Sequence, residues 1–111
     1  MGTGLPMHEI VQNRKEVLER LKSAEAAIRA LGVRRLALFG SFVRETASLE
    51  SDVDVLVEFE PERKTYDRFL DLSELLERLL GRRVEIVTTE SLSPYLGAYI
   101  LSEARDVIRA A

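Results

Sequence analysis

The chain has 111 residues, of which 46% are hydrophobic and 32% charged, with a formal net charge of −3 and no cysteine. This length suits one small domain with a single core and leaves no room for a second, substrate-binding domain. The acidic balance argues against a dedicated nucleic-acid binder, and the lack of cysteine excludes disulfides and thiolate chemistry. No apolar run is long enough for a signal or membrane segment, so we expect a cytoplasmic protein. We expect a flexible N-terminus over residues 1–7 and a single domain over residues 8–111.

The first amphipathic segment predicts one long helix. Its apolar residues recur at spacings of three, four or seven, and Gly32 follows as a stop signal; they are Ile10, Val17, Leu21, Ala24, Ile28 and Leu31. The remaining positions carry charges of both signs, which is typical of a solvated helix face.

The apolar run that starts at Leu36 ends in Gly40-Ser41. It predicts a strand that turns sharply into a short helix, beginning near Phe42 and ending near Ala47. Glycine lets the backbone approach a ligand closely, and the N–H groups at a helix start attract phosphate. Ser41 can add a hydroxyl to such a cradle, and Arg44 can reach the same anion with its planar guanidinium.

A second strand is predicted from the alternation between Asp52 and Phe59. A period of two places Asp52 and Asp54 on the same face, with Cα atoms about 7 Å apart. Two carboxylate charges at that distance repel by roughly 2 kcal/mol at an effective dielectric constant of about 20. A divalent cation would remove this repulsion, and Mg²⁺ favours a few carboxylate oxygens together with substrate phosphates.

Three elements are predicted in the rest of the chain. Apolar spacing indicates a helix from Tyr66 to Leu80, closed by a glycine, and residues 83–88 suit a third strand that carries Glu85. Ser93-Pro94 is typical of a helix start, and we expect the final helix to continue through Val107 and Ile108. On its own, Glu85 reads as an outward residue on an edge strand.

The combination Gly-Ser-Phe-x-Arg, a short gap and Ser-Asp-x-Asp followed by three hydrophobic residues resembles the minimal nucleotidyltransferases of the DNA polymerase beta-like superfamily. The resemblance extends from about Ile28 to the C-terminus. It implies an α/β (α+β) fold, with a small mixed β-sheet covered by helices. Minimal members of this family resemble antitoxins that are paired with HEPN-type RNase toxins. The resemblance therefore also implies an antitoxin function, and some of these antitoxins attach AMP to a tyrosine of the toxin.

The resemblance also implies roles for individual residues. Gly40, Ser41 and Arg44 would bind the nucleotide, and Asp52, Asp54 and Glu85 would be catalytic and hold two Mg²⁺ ions, with ATP as the substrate. In the family the third carboxylate is usually aspartate, and the residue after the arginine is commonly glycine. Here these two positions are Glu85 and Glu45.

Three functions therefore remain open. The first is a Mg²⁺-dependent protein adenylyltransferase that acts as an antitoxin on a HEPN-type toxin. The second is an interaction module that neutralises its partner by binding alone. The third is a small-molecule nucleotidyltransferase whose second half lies on another chain. None of these readings requires a membrane or a nucleic acid as partner.

Overall fold

The computed structural model describes residues 10–109. The predicted boundary between residues 7 and 8 therefore lies outside the described residues. The helices are α1 (Arg14–Ser23), α2 (Glu25–Ala30), α3 (Ser41–Arg44), α4 (Tyr66–Leu80) and α5 (Pro94–Glu103). The strands are β1 (Val33–Phe39), β2 (Val53–Phe59), β3 (Val84–Thr88) and β4 (Arg105–Ile108). None of the helices in this range is long and apolar enough to span a bilayer.

The four strands form one mixed sheet in the order β3-β2-β1-β4. Strand β1 pairs antiparallel with both β2 and β4, whereas β2 and β3 are parallel. The parallel pair needs a long crossover, which α4 supplies. The prediction of a small mixed sheet with helices is confirmed.

The alternation of β2 distributes its side chains between two apolar layers. Val53, Val55 and Val57 face the main core, which also contains Leu21 of α1 and Leu76 of α4. The opposite face of the sheet carries a smaller cluster of Ala37, Leu56 and Ile100. Because Leu56 and Asp54 lie on the same face of β2, helix α5 packs on the face that carries the aspartate.

The predicted first helix is two helices. Helix α1 starts at the cap Asn13, whose side chain accepts a hydrogen bond from the Glu16 N–H, and it ends at Ser23. The Ser23 hydroxyl bonds back to the Arg20 carbonyl at 2.6 Å, and such local bonds compete with helix continuation. A new short helix then starts at Glu25. The apolar periodicity of the sequence continues across this break, because both helices pack against the same core.

The prediction of a final helix through Ile108 is wrong. Helix α5 starts at the predicted Ser93-Pro94 cap but ends at Glu103, and residues 105–108 form β4. Val107 and Ile108 are buried there, and Ile108 pairs with Leu36 of β1. Their spacing fits a helix, but the open edge of β1 offers hydrogen bonds and burial to a β-branched pair.

Candidate active site

The turn after β1 brings the chain close to Asp54. Gly40 has φ +80°, a conformation that side chains disfavour, and a Cβ built on it would lie 3.0 Å from Cγ of Asp54. Helix α3 begins at the next residue, Ser41. A glycine is required at position 40 because the aspartate side chain fills the space that a Cβ would occupy.

Asp54 and Glu85 are direct register partners on the parallel strands β2 and β3. Burial, together with the nearby charges of Glu85 and Asp52, raises the pKa of Asp54 to about 6. Glu85 itself is exposed on the edge strand. The site therefore concentrates negative charge around Asp54.

Arg44 lies at the end of α3 and forms an ion pair with Glu103 of α5, at 2.9 Å between Nη1 and Oε2. Oε1 of Glu103 also accepts a hydrogen bond from the backbone N–H of Gly40, at 2.6 Å. Burial acts to raise the pKa of Glu103, but the Gly40 N–H and the Arg44 guanidinium lower it overall. Glu103 is thus an ionised carboxylate inside the predicted phosphate cradle.

These groups surround one cavity of about 320 Å³ on the α5 face of the sheet. It is lined by Phe39, Gly40, Arg44, Asp54, Glu85, Val87, Leu96, Tyr99 and Ile100. Its lining combines the two carboxylates and the guanidinium with several apolar side chains. A site with apolar walls and a few converging charged groups is typical of small-molecule binding.

The structure brings four of the six predicted site residues to this cavity: Gly40, Arg44, Asp54 and Glu85. Ser41 directly follows Gly40 and Asp52 lies two residues before Asp54, but neither lines the cavity. Asp52 immediately precedes β2, and its charge still acts on Asp54.

Glu45 does not line this cavity. It contributes to a separate small pocket with Arg14 and Phe42, and its carboxylate lies 3.8 Å from the Arg14 guanidinium. Glu45 caps the C-terminus of α3 in the left-handed conformation, with φ 59°. That conformation explains why glycine suits this position, since it alone adopts positive φ without steric cost.

Sequence reasoning missed Arg82, which is 8% exposed. Its guanidinium donates hydrogen bonds to four backbone carbonyls, those of Val11, Ser48, Leu49 and Ser51. It also lies 5.0 Å from the centroid of the Phe42 ring in α3. Arg82 therefore fixes both the loop that leads to Asp52 and the helix that carries Arg44. A charged residue directly after a helix-ending glycine gives no sequence signal of burial.

Tyr99 and Glu103 were also missed. Tyr99 is 56% exposed, and its hydroxyl lies 3.3 Å from Nη1 of Arg44. Both residues lie on α5, far along the chain from Gly40, and they reach the turn only because α5 packs on that face of the sheet.

The donor set fits a hard divalent cation. Within the part of the chain that the structure describes, no three His, Cys, Asp or Glu side chains form a ready metal cluster. Asp54 and Glu85 nevertheless lie side by side with Asp52 close enough to raise the Asp54 pKa. Carboxylate oxygens of this kind suit Mg²⁺, which is usually held by one or two carboxylates plus substrate phosphates.

Known proteins resemble this chain over most of its length. A family model described as a nucleotidyltransferase domain matches residues 14–107. The protein adenylyltransferase MntA of Thermococcus cleftensis is 39% identical over 94 residues, which cover 85% of this chain and 84% of that protein.

Solved structures share the fold. One described as a "putative minimal nucleotidyltransferase" has a TM-score of 0.75 and 33% identity, and the match covers 94% of this chain and 98% of that one. A chain from the complex of a tri-AMPylated Shewanella oneidensis HEPN toxin with its MNT antitoxin has a TM-score of 0.60. It is 17% identical, and the match covers 84% of this chain and 73% of that one, so it shows the fold alone. Given the family match, the MntA relative and the cavity geometry, this chain belongs to the nucleotidyltransferase domain family.

Proposed function

We propose that this chain transfers AMP from ATP to a tyrosine hydroxyl of a HEPN-type toxin and acts as the antitoxin of that pair. The observation that carries the proposal is the single cavity in which Gly40, Arg44, Asp54 and Glu85 meet. The MntA relative, which is a protein adenylyltransferase, supports the acceptor class. The toxin complex among the similar structures supports the partner.

The reaction needs an acceptor oxygen, a phosphate-binding group and a proton acceptor. The tyrosine oxygen attacks the α-phosphorus of ATP, a new P–O bond forms, and the bond to the β-phosphate bridging oxygen breaks to release pyrophosphate. The hydroxyl proton passes to a carboxylate and then to solvent. Such a transfer depends chiefly on positioning and on neutralising phosphate charge.

Each charged residue has a defined place in this proposal. The turn at Gly40 and Ser41 receives the triphosphate, and Arg44 neutralises part of its charge. Asp52, Asp54 and Glu85 would hold Mg²⁺, which supplies charge neutralisation for the phosphates when bound. Glu85 would accept the proton of the attacking hydroxyl.

The test is to purify the chain with the protein it retains from its own cells, add ATP and Mg²⁺, and record intact masses. We expect the partner to gain the mass of AMP, and peptide mapping to place it on tyrosine. Asp54→Asn should abolish the gain, whereas Asp71→Asn, an exposed aspartate of α4, should leave it intact. An unmodified partner with wild-type protein and Mg-ATP would contradict the proposal. Omitting Mg²⁺ from the same reaction tests the metal requirement.

A second candidate is neutralisation by binding alone. Helix α4 exposes Tyr66 at 75% and Leu70 at 45%, and Tyr66 lines an apolar groove of about 420 Å³ with Phe59 and Phe69. Such a surface suits a protein contact away from the carboxylates. Silencing of the toxin that survives both Asp52→Asn and Asp54→Asn would favour this function.

The small-molecule reading makes a separate prediction. A hydroxylated small molecule would then accelerate pyrophosphate release from ATP, with or without the partner protein. Pyrophosphate release that responds to the partner alone would exclude this reading.

A further inference from the structure

We propose that Glu103 is a positioning residue for nucleotide transfer, which holds the Arg44 guanidinium and the Gly40 turn in the arrangement that receives the triphosphate. This inference rests on the proposed function, because it assigns the triphosphate to that turn. Glu103 lies outside the sequence motif and more than fifty residues from both groups that it contacts.

One carboxylate serves both halves of the cradle. Oε1 accepts from the Gly40 N–H at 2.6 Å and from Nη1 of Arg44 at 3.0 Å, while Oε2 accepts from the same Nη1 at 2.9 Å. Hydrogen bonds to an ionised carboxylate, here from a backbone N–H and from a guanidinium, are typically shorter and stronger than bonds between neutral groups. The carboxylate therefore sets the distance between the backbone turn and the guanidinium.

Glu103 is itself held firmly. Its side chain is only 13% exposed, and it is the last residue of α5. One turn before it, the buried Ile100 anchors the helix on the sheet. Two residues after it, Arg105 pairs with Leu38 of β1. With its backbone fixed on both sides, Glu103 is a rigid support for the more exposed side chain of Arg44.

Arg44 needs such support because its side chain is 46% exposed. An exposed arginine loses rotamer entropy when it binds an anion, and a prior ion pair removes much of that cost. The described hydrogen bonds of the Arg44 side chain, among residues 10–109, all use Nη1. Nε and Nη2 are left to bind a phosphate.

A competing interpretation makes the opposite prediction. Glu103 is an anion that occupies the Gly40 N–H, so it could act as a competitor of the triphosphate. In that case its neutralisation would tighten nucleotide binding. If Glu103 positions Arg44, its neutralisation must weaken binding.

The test is calorimetric titration of a non-hydrolysable ATP analogue with Mg²⁺ into wild type, Glu103→Gln, Arg44→Ala and the double variant. We expect Glu103→Gln to weaken binding about tenfold in the wild-type background and less than about twofold when Arg44 is absent. Glu90→Gln removes an exposed carboxylate that pairs with Lys64 outside the cavity, and it serves as the matched control. Circular dichroism melting of each variant shows that it is folded.

Three results would overturn the proposal. Tighter binding by Glu103→Gln would make the carboxylate a competitor, and unchanged binding would leave it without a role. An equal loss with and without Arg44 would reduce Glu103 to a general structural residue. A wild-type protein that binds no Mg-ATP would instead refute the proposed function.

A second readout does not need nucleotide. The Gly40 amide proton, which donates to a carboxylate at 2.6 Å, should resonate downfield in an NMR spectrum of the wild type and move upfield in Glu103→Gln. The order parameter of the Arg44 Nε–H bond should fall in the same variant. A Gly40 amide at the same shift in both proteins would show that the contact does not hold the turn in solution, which would also overturn the proposal.

Discussion

Asp54 packs against the backbone of Gly40, and its carboxyl group fills the space that any larger residue at position 40 would need. The glycine that opens the predicted phosphate cradle and the aspartate that serves the predicted metal site are thus in direct contact. A substitution at either position must therefore alter the packing of the other residue.

Gly40→Ala tests this contact. The new Cβ would lie 3.1 Å from Cβ of Asp54 and closer still to its carboxylate, at a backbone φ of +80°. We expect a loss of about 1–3 kcal/mol in the free energy of unfolding and a loss of nucleotide binding. Urea denaturation measures the first and calorimetric titration the second. Gly97→Ala in α5, whose nearest contact is Leu92 Cβ at 3.3 Å, should change stability by much less. Equal effects at both positions would contradict the argument.

Asp54→Asn should stabilise the nucleotide-free protein at pH 8. The pKa of Asp54 in the folded chain, about 6, lies above its ordinary value of 3.8, so the folded state binds more protons and loses stability as pH rises through this window. Burial and the repulsion from Glu85 and Asp52 both disfavour the charged carboxylate, but water screens part of each effect because Asp54 is only half-buried, and we therefore expect a gain of roughly 1 kcal/mol. The gain should disappear at pH 4, where the carboxyl is largely protonated. Thermal melts at both pH values check this, with Asp71→Asn as the control. A difference independent of pH would contradict the assigned cause.

Arg82→Met should destabilise the fold. It removes four hydrogen bonds to backbone carbonyls and the contact with the Phe42 ring, and we expect a cost of about 2–4 kcal/mol. Chemical denaturation gives the value. Arg83→Gln, at the exposed next position, is the matched control and should change stability by less than about 0.5 kcal/mol. A cost for Arg82→Met no larger than that of the control would refute the role of Arg82 as a clamp.

Glu45→Gly should stabilise the protein by about 0.5–1 kcal/mol, because glycine adopts the left-handed conformation of this helix cap without steric cost. Glu45→Ala keeps the Cβ and should bring no such gain. Urea denaturation separates the two variants. Since Glu45 lies outside the cavity that contains Asp54 and Glu85, AMP transfer should change little in either. A gain from Glu45→Ala equal to that from Glu45→Gly would point to charge, not backbone conformation, as the cause.

The elements near the motifs could be predicted from the sequence because their signals are local. Helix α4 follows its apolar spacing from Tyr66 to Leu80, and Asp54 lies on the face that the alternation of β2 predicts. The placement of Glu85 opposite Asp54 needed the family resemblance, because its position beside β2 depends on strand order.

The remaining features depend on tertiary contacts. Val107 and Ile108 fit a helix by spacing and a strand by residue type, and the unpaired edge of β1 decides between them. Arg82 and Glu103 are polar residues whose burial follows from packing between distant segments. No local pattern reveals such partners.

The parallel pairing of β2 with β3 also bears on the order of folding. Asp54 and Glu85 become neighbours only when β3 pairs with β2 at the sheet edge, and the whole of α4 lies between these two strands in the chain. Closing this crossover costs conformational entropy. The antiparallel pair of β1 and β2 has a shorter connection, so its closure costs less. The repulsion between the two carboxylates therefore arises only when β3 docks beside β2, and we expect the amide hydrogens of the edge strand β3 to exchange faster than those of the central strands β1 and β2.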